Sequence, residues 1–217
     1  MEFICGVDDA GRGPVIGPMV IAGVSVSEKN LLKLEELGLK DSKLLSPKQR
    51  NEFYNKIITI VDSYKIVIIP PSLIDEHLFS KESNLNILEA IKFSEVINSL
   101  RPTKAIVDCP STNIPEYTRT LRSFLKYDVQ LKCEHKADFN YKVVSAASIL
   151  AKVTRDKEIE KIKKAIGFDI GSGYPSDPVT QEFLKASWEK YPEIFRKSWA
   201  TYKKVAGPKE QSKLGEF

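Results

Sequence analysis

Four aspartates carry the chemistry that this chain's residue types and spacing allow. Asp8 and Asp9 stand side by side after the short apolar run of residues 3–7. Asp108 closes a second apolar run, residues 104–107, and Asp138 opens a long helical pattern just after Glu134-His135-Lys136. Carboxylates at strand ends are held by a rigid sheet and can converge on one edge. Hard cations take such oxygen ligands, and two ions about 4 Å apart can bind the attacking water and the departing oxygen of a phosphodiester together. Taken singly, each residue has a plainer reading as a turn residue, and Asp138 as the N-cap of the helix that follows. Asp8-Asp9 stands apart, because adjacent like charges repel and a cation relieves the repulsion.

The turn Gly11-Arg12-Gly13 follows at once. It is not a dinucleotide fingerprint, which must open a helix; here Pro14 and a β-prone run come next. Its glycines let backbone approach a phosphate closely, with Arg12 beside it.

The elements that must position these groups read as strands at residues 3–7, 15–26, 64–69, 104–107 and 129–131. The second is interrupted by Gly17-Pro18, which suggests a bulge or bend. A short helix is expected at 31–34. Another opens at Ser46, a good N-cap, with Pro47 in the first helical position. Leu85, Leu88, Ile91, Ile97 and Leu100 follow helical spacing, as do residues 115–125 and 141–166. Two further short helices are expected to bear Phe183, Trp188, Phe195 and Trp199. Strands cluster early and alternate with helices later, so the fold class is α/β: a mixed sheet flanked by helices, then a helical C-terminal lobe. The expected division is a catalytic core over 1–165, the lobe over 166–206, and a polar, flexible tail over 207–217.

With 217 residues, 42% of them apolar, the chain can build a real core. The net charge of +4 points only weakly to nucleic acid. Cys5, Cys109 and Cys133 form no metal or disulfide framework and read as thiols in a reducing compartment. No stretch approaches the ~20 apolar residues that span a membrane. The N-terminus lacks the basic and apolar regions of a signal peptide. The expected location is the cytoplasm and the expected state a monomer.

The blocks taken together resemble ribonuclease HII in its archaeal form. Asp8-Asp9-Ala10-Gly11-Arg12-Gly13-Pro14-Val15-Ile16-Gly17-Pro18 is similar to that family's D-E-A-G-R-G opening. Residues 39–45, with Asp41-Ser42-Lys43, resemble its D-S-K loop. Asp108 matches a third carboxylate, residues 134–138 and 144–153 its most distinctive block, and residues 171–178 a late loop. The resemblance implies a ribonuclease H-like fold and a catalytic, metal-binding set of Asp8, Asp9, Asp108 and Asp138. It implies Mg²⁺ or Mn²⁺, with two ions in catalysis. The implied substrates are RNA–DNA hybrids and single ribonucleotides in duplex DNA, as in ribonucleotide excision repair. Cleavage is implied on the 5′ side of the ribonucleotide, leaving 3′-hydroxyl and 5′-phosphate ends. Gly11, Arg12 and Gly13 would grip the backbone and the 2′-hydroxyl that marks RNA. Tyr174 would stack on the deoxyribose beyond it, and Lys43, Lys142 and Lys152 would contact phosphates. Solvated lysines and a Tyr174 that merely packs are the plainer alternatives, and His135 reads as a local hydrogen-bonding residue. Two rivals remain: a binding module with a dead metal centre, and a relative that cuts all-DNA substrates.

One position departs from the family. Asp9 stands where it has Glu, shorter by one methylene, roughly 1.3 to 1.5 Å, against a metal-distance tolerance of about 0.2 Å. At the far end, Gln211, Leu214 and Phe217 resemble a sliding-clamp-binding box with its last aromatic missing. Leu214 and Phe217 could share one face of a helical turn and enter an apolar pocket; a frayed tail is the alternative.

Overall fold

The computed structural model describes residues 2–39 and 45–214, with side chains as far as Gly207. In chain order the elements are β1 (Phe3–Ala10), β2 (Met19–Ser27), α1 (Glu28–Glu36), α2 (Pro47–Ile60), β3 (Ser63–Ile69), α3 (Pro71–Phe79), α4 (Leu85–Leu100), β4 (Lys104–Asp108), α5 (Ile114–Ser123), β5 (Gln130–Glu134), α6 (Ala137–Asn140), α7 (Lys142–Ile166), α8 (Pro178–Ser187) and α9 (Ala200–Leu214), with a 3₁₀ turn at Pro192–Ile194. The strands form one mixed sheet in the order β3-β2-β1-β4-β5. β1 runs antiparallel to β2 and parallel to β4, which is parallel to β5.

Two compact units are present. The first comprises Met1–Ala10, Val20–Ile68 and Leu85–Arg155; the second Gly11–Met19, Ile69–Asn84 and Asp156–Phe217. In the first unit, α7 covers one face of the sheet. Val20, Ala22, Val24 and Val26 of β2, with Ile106 of β4, pack there with Val143, Val144, Ala146 and Leu150. Gly6 makes this approach close: a Cβ on it would lie 2.3 Å from the backbone carbonyl carbon of Val143. The opposite face belongs to α4, since a Cβ on Gly23 would meet Val96 at 2.3 Å. Alternate residues of a strand face opposite sides, so β1 shows Gly6 and Asp8 to α7, and Val7 and Asp9 to the α4 side. The second unit has its own core, in which Val15, Ile16, Ile159, Phe183, Trp188, Phe195 and Tyr202 are buried together.

β1 does not stop at Val7. It pairs with β2 through Ala10↔Val20, so Asp8 and Asp9 lie inside the strand, opposite Ala22 and Ile21. Backbone pairing needs no apolar side chain once the neighbouring strand is there. β2 instead starts late, at Met19. Gly17, at φ +82°, lies ahead of it rather than within it, and Ile16 bridges only to Phe195. Phe195 lies outside the helices, just after the 3₁₀ turn. The predicted start of α2 is borne out: Ser46 accepts from the Gln49 amide at 3.3 Å and its own amide donates to Gln49 Oε1 at 2.9 Å. The helix α3 has no counterpart in the sequence prediction. Pro70-Pro71 closes the strand, and Pro71 then also opens a helix. α9 runs to Leu214, well into residues read from sequence as tail. Cys5 and Cys109 are buried thiols outside any disulfide. Among the described residues no helix is long and apolar enough to cross a membrane.

Because the Gly6 contact is with backbone, which cannot move aside as a flexible side chain would, Gly6→Ala should lower stability by about 3 kcal/mol, the upper end of ordinary overpacking. Urea unfolding will measure it; a midpoint within error of the parent would refute the close approach.

Candidate active site

Asp8 sits in the first unit, 4% exposed, on the face of β1 that α7 covers. Its Oδ1 accepts the Asp9 backbone N–H at 2.7 Å, and the Ser148 hydroxyl of α7 donates to the same carboxylate. Burial raises its pKa well above the ordinary carboxylate range, and the charges of Asp9 and Asp108 raise it further. The two hydrogen bonds pull the other way and do not prevail. Three carboxylates therefore act on one another where the parallel pairing of β1 with β4 gives out. β4 keeps register with β1 through Val7↔Val107, so the next residues along are Asp8 and Asp108.

Asp108 is tied to the following segment. Its Oδ1 accepts the Ala137 N–H at 2.8 Å, which fixes the start of α6 one residue before Asp138. Asp138 is buried within α6 and its carbonyl accepts the Ser145 hydroxyl. It caps nothing: the N-cap of α6 is Lys136, in the left-handed region at φ 57°. His135 Nδ1 lies 3.0 Å from the Cys109 carbonyl; a carbonyl can only accept, so this nitrogen carries the proton. His135 thus bonds locally. Glu134 points elsewhere, to Asn140, Tyr141 and Lys132 at 2.6, 3.0 and 2.8 Å. These partners hold its carboxyl below the usual range, the Lys132 bond foremost.

Whether these residues suit a divalent cation turns on donor type and charge. Among the described residues, no group of three His, Cys, Asp or Glu side chains stands ready to enclose an ion alone. Magnesium does not demand that. It keeps several waters and binds through one or two carboxylates plus substrate phosphate oxygens. Asp8 with Asp9 and Asp108 offers hard oxygen donors whose mutual repulsion a cation would relieve, so the set fits.

The Gly-Arg-Gly turn belongs to the second unit and is held by a residue that sequence reasoning missed. Arg196 is fully buried. Its Nη2, Nη1 and Nε donate to the carbonyls of Gly11, Arg12 and Gly17 at 2.6, 2.8 and 3.1 Å. Trp199 lies 4.8 Å from the guanidinium, and its Nε1 donates to the Gly13 carbonyl at 3.0 Å. Three consecutive carbonyls are thus pinned to one side. In a planar trans peptide the next N–H points opposite to the C=O, and no cis bond is present. The amides of Arg12 and Gly13 must face away from Arg196, as two successive donors of the kind that bind anions. Tyr174 stands beside them: a Cβ on Gly13 would be 3.6 Å from its ring. Its loop is braced by Asp177, which accepts from the Ser172 and Val179 amides at 2.6 and 3.0 Å, and by Thr180, which accepts from Gly173 at 3.0 Å.

Of the lysines, Lys152 lies on the face of α7 that carries Ser145 and Ser148, at helical spacing of three and seven residues. Lys142 donates to the Leu39 carbonyl at 2.8 Å. Lys43 and Phe217 lie outside the described residues, and Gln211 and Leu214 are described only as backbone of α9. Ser148, which bonds Asp8, and Arg196, which holds the turn, left no separate signal in the sequence. A helix serine and one arginine among 33 basic residues look ordinary until the chain is folded.

A family model described as Ribonuclease HII matches residues 5–202. Ribonuclease HII of Methanococcus maripaludis strain C6 is 49% identical over 224 residues, covering 100% of this chain and 92% of that one. The crystal structure of ribonuclease H2 from Pyrococcus horikoshii superposes with a TM-score of 0.87 at 44% identity, covering 96% of this chain and 99% of that one. RNase HII in the structure of its complex with PCNA, from Archaeoglobus fulgidus, gives 0.82 at 39% identity, covering 91% and 95%.

The raised pKa of Asp8 has a stability consequence. A carboxyl that the fold holds above its usual value of about 3.9 loses stability as pH rises through that value. The loss accumulates from there up to the raised value. Asp8→Asn carries no charge to lose and keeps an acceptor for both hydrogen bonds. In EDTA at pH 8 it should melt higher than the parent, by roughly 2–4 °C for each kcal/mol relieved. A lower midpoint by calorimetry would show that the charge is already compensated.

Proposed function

The chain belongs to the ribonuclease HII family and is an endoribonuclease, and from that premise we propose that it hydrolyses the phosphodiester on the 5′ side of a ribonucleotide. The substrates are RNA–DNA hybrids and single ribonucleotides in duplex DNA. The observation that carries this reading is the buried Asp8, repelled by Asp9 and Asp108 where the β1–β4 pairing gives out. Asp8, Asp9, Asp108 and Asp138 are the metal-binding set for Mg²⁺ or Mn²⁺, two ions in catalysis. Held by these carboxylates, divalent cations would supply a more acidic water and charge neutralisation at the departing oxygen. Water oxygen bonds to phosphorus as the P–O3′ bond breaks. The upstream strand keeps a 3′-hydroxyl and the ribonucleotide keeps the 5′-phosphate.

The chain's own residues supply orientation. The outward amides of Arg12 and Gly13, with Gly11, serve the backbone and the 2′-hydroxyl, the group that tells RNA from DNA. Arg196 and Trp199 keep those amides aimed. Tyr174 packs on the deoxyribose after the ribonucleotide. Lys152, beside Ser148, meets a phosphate, as does Lys43. Lys142 has a second task, since it already holds Leu39 at the entrance to the Asp41-Ser42-Lys43 loop. Residues 1–165 form the catalytic core and 166–206 a lobe, in a cytoplasmic monomer.

The C-terminal residues Gln211, Leu214 and Phe217 suit a sliding clamp. The A. fulgidus relative, 39% identical, has been seen in complex with PCNA, which supports that partner.

Two experiments decide these readings. On a DNA duplex with one ribonucleotide, the parent should cut once with either metal and leave the all-DNA duplex whole. Asp108→Asn should slow it on the order of a hundredfold or more, the scale of losing one group that stabilises transition-state charge. Undiminished cleavage would remove Asp108 from the site. Phe217→Ala should abolish retention on an immobilised archaeal clamp; retention at the parent's level would leave the tail without that role.

A further inference from the structure

Tyr117 is a core residue with a polar end that the fold leaves unused. It lies on α5, 3% exposed, and its ring meets Phe93 of α4 edge-on at 6.4 Å and 83°. Its hydroxyl finds no hydrogen-bond partner among the described residues. Phenylalanine would fill the same space, and burying a hydroxyl without a partner costs free energy. Among the charges that act on the hydroxyl are those of Glu89, the foremost, and Asp9. Glu89 is one helical turn before Phe93 on α4 and fully buried. Asp9 points to this same α4 side of β1, because Asp8 faces α7. Two carboxylates thus lie near a donor with no partner, and an ionised carboxylate can only accept.

We propose that Tyr117 is a positioning residue for Asp9: its hydroxyl donates to the Asp9 carboxylate, directly or through one bridging water, with Glu89 behind it, and so sets how tightly the acidic site holds a divalent cation. The inference rests on Asp9 being a metal ligand. Hydrogen bonds of this kind are commonly long before the site is loaded and tighten when it is. The phenol is suited to the task, since burial raises its pKa and negative charge at Glu89 and Asp9 raises it further, which keeps its proton in place. The device also answers a geometric need. Asp9 is a short side chain on the face of the strand away from Asp8, and it must turn round the strand to share an ion with it.

The test is calorimetric titration of the intact chain with Mn²⁺, without nucleic acid, for the parent, Tyr117→Phe, Asp9→Ala and the double variant, each also melted in EDTA. Groups that orient a ligand are worth about tenfold or more in metal affinity. Tyr117→Phe should therefore weaken Mn²⁺ binding about tenfold with an unchanged or higher midpoint, and should add nothing to Asp9→Ala. Unchanged affinity in Tyr117→Phe overturns the proposal, with or without a fallen midpoint; a hydroxyl with a purely structural role would lower the midpoint and spare the affinity. If Asp9→Ala leaves Mn²⁺ affinity intact, Asp9 is no ligand, and any effect of Tyr117 arises elsewhere. Weakening by Asp9→Ala alone sinks the role of Tyr117 and leaves Asp9 in the metal site.

Discussion

Residue 6 has to lack a side chain, and much of the first unit follows from that. With no Cβ at Gly6, the start of α7 lies directly on β1. The helix then carries Ser145 and Ser148 along the strand's end, where they bond the Asp138 carbonyl and the Asp8 carboxylate. A helix set further off would leave Asp8 buried with the Asp9 amide as its remaining hydrogen bond. Two like charges beside it would then be harder to tolerate. The close contact is what lets a carboxylate be buried, hydrogen-bonded and repelled at once. That combination holds free energy in reserve which a cation can release.

The second unit solves a different problem by different means. There the group to be presented is backbone. A glycine-rich turn has too many conformations to present anything reliably. Arg196 removes that freedom by taking the carbonyls of Gly11, Arg12 and Gly17, and Trp199 takes that of Gly13. A guanidinium suits this work because its donors lie in one rigid plane. Charge is what the first unit concentrates; donors are what the second aims. The two are joined covalently where Ala10 is followed by Gly11.

What the sequence made legible divides along the same line. Features set by local chemistry were readable: the Ser46-Pro47 helix start, the apolar strands and the acidic ends beside them. The proposal of Asp8, Asp9, Asp108 and Asp138 as one set rests on the joint pattern of blocks, not on any one residue. Asp138 shows why. As a single residue before a helical run it looked equally like a cap, and only the fold gives that place to Lys136. Long-range partners were not readable. Arg196 lies about 180 residues from the turn it holds, and Ser148 is one of several small residues in a helix. α3 was hidden because Pro70-Pro71 signals an end as strongly as a beginning, while its Asp75 acts far away on the amides of Lys197 and Ser198.

Asp9 is where local and global demands conflict. A strand sends successive side chains to opposite faces, so an adjacent acidic pair cannot point one way. Asp8 takes the α7 face, hydrogen-bonded and buried. Asp9 takes the other, the side of the sheet on which α4 packs, and α4 and α5 carry a buried carboxylate and a buried phenol. A glutamate there could fold round the strand's end with its extra methylene. An aspartate can do so only if something behind it fixes its direction. The shorter side chain therefore transfers a task from its own length to its neighbours, and those neighbours sit on helices whose packing is otherwise plain core. The departure at one position is thus to be judged with the layer behind it, because whether Asp9 can share an ion with Asp8 is decided by α4 and α5 as much as by β1.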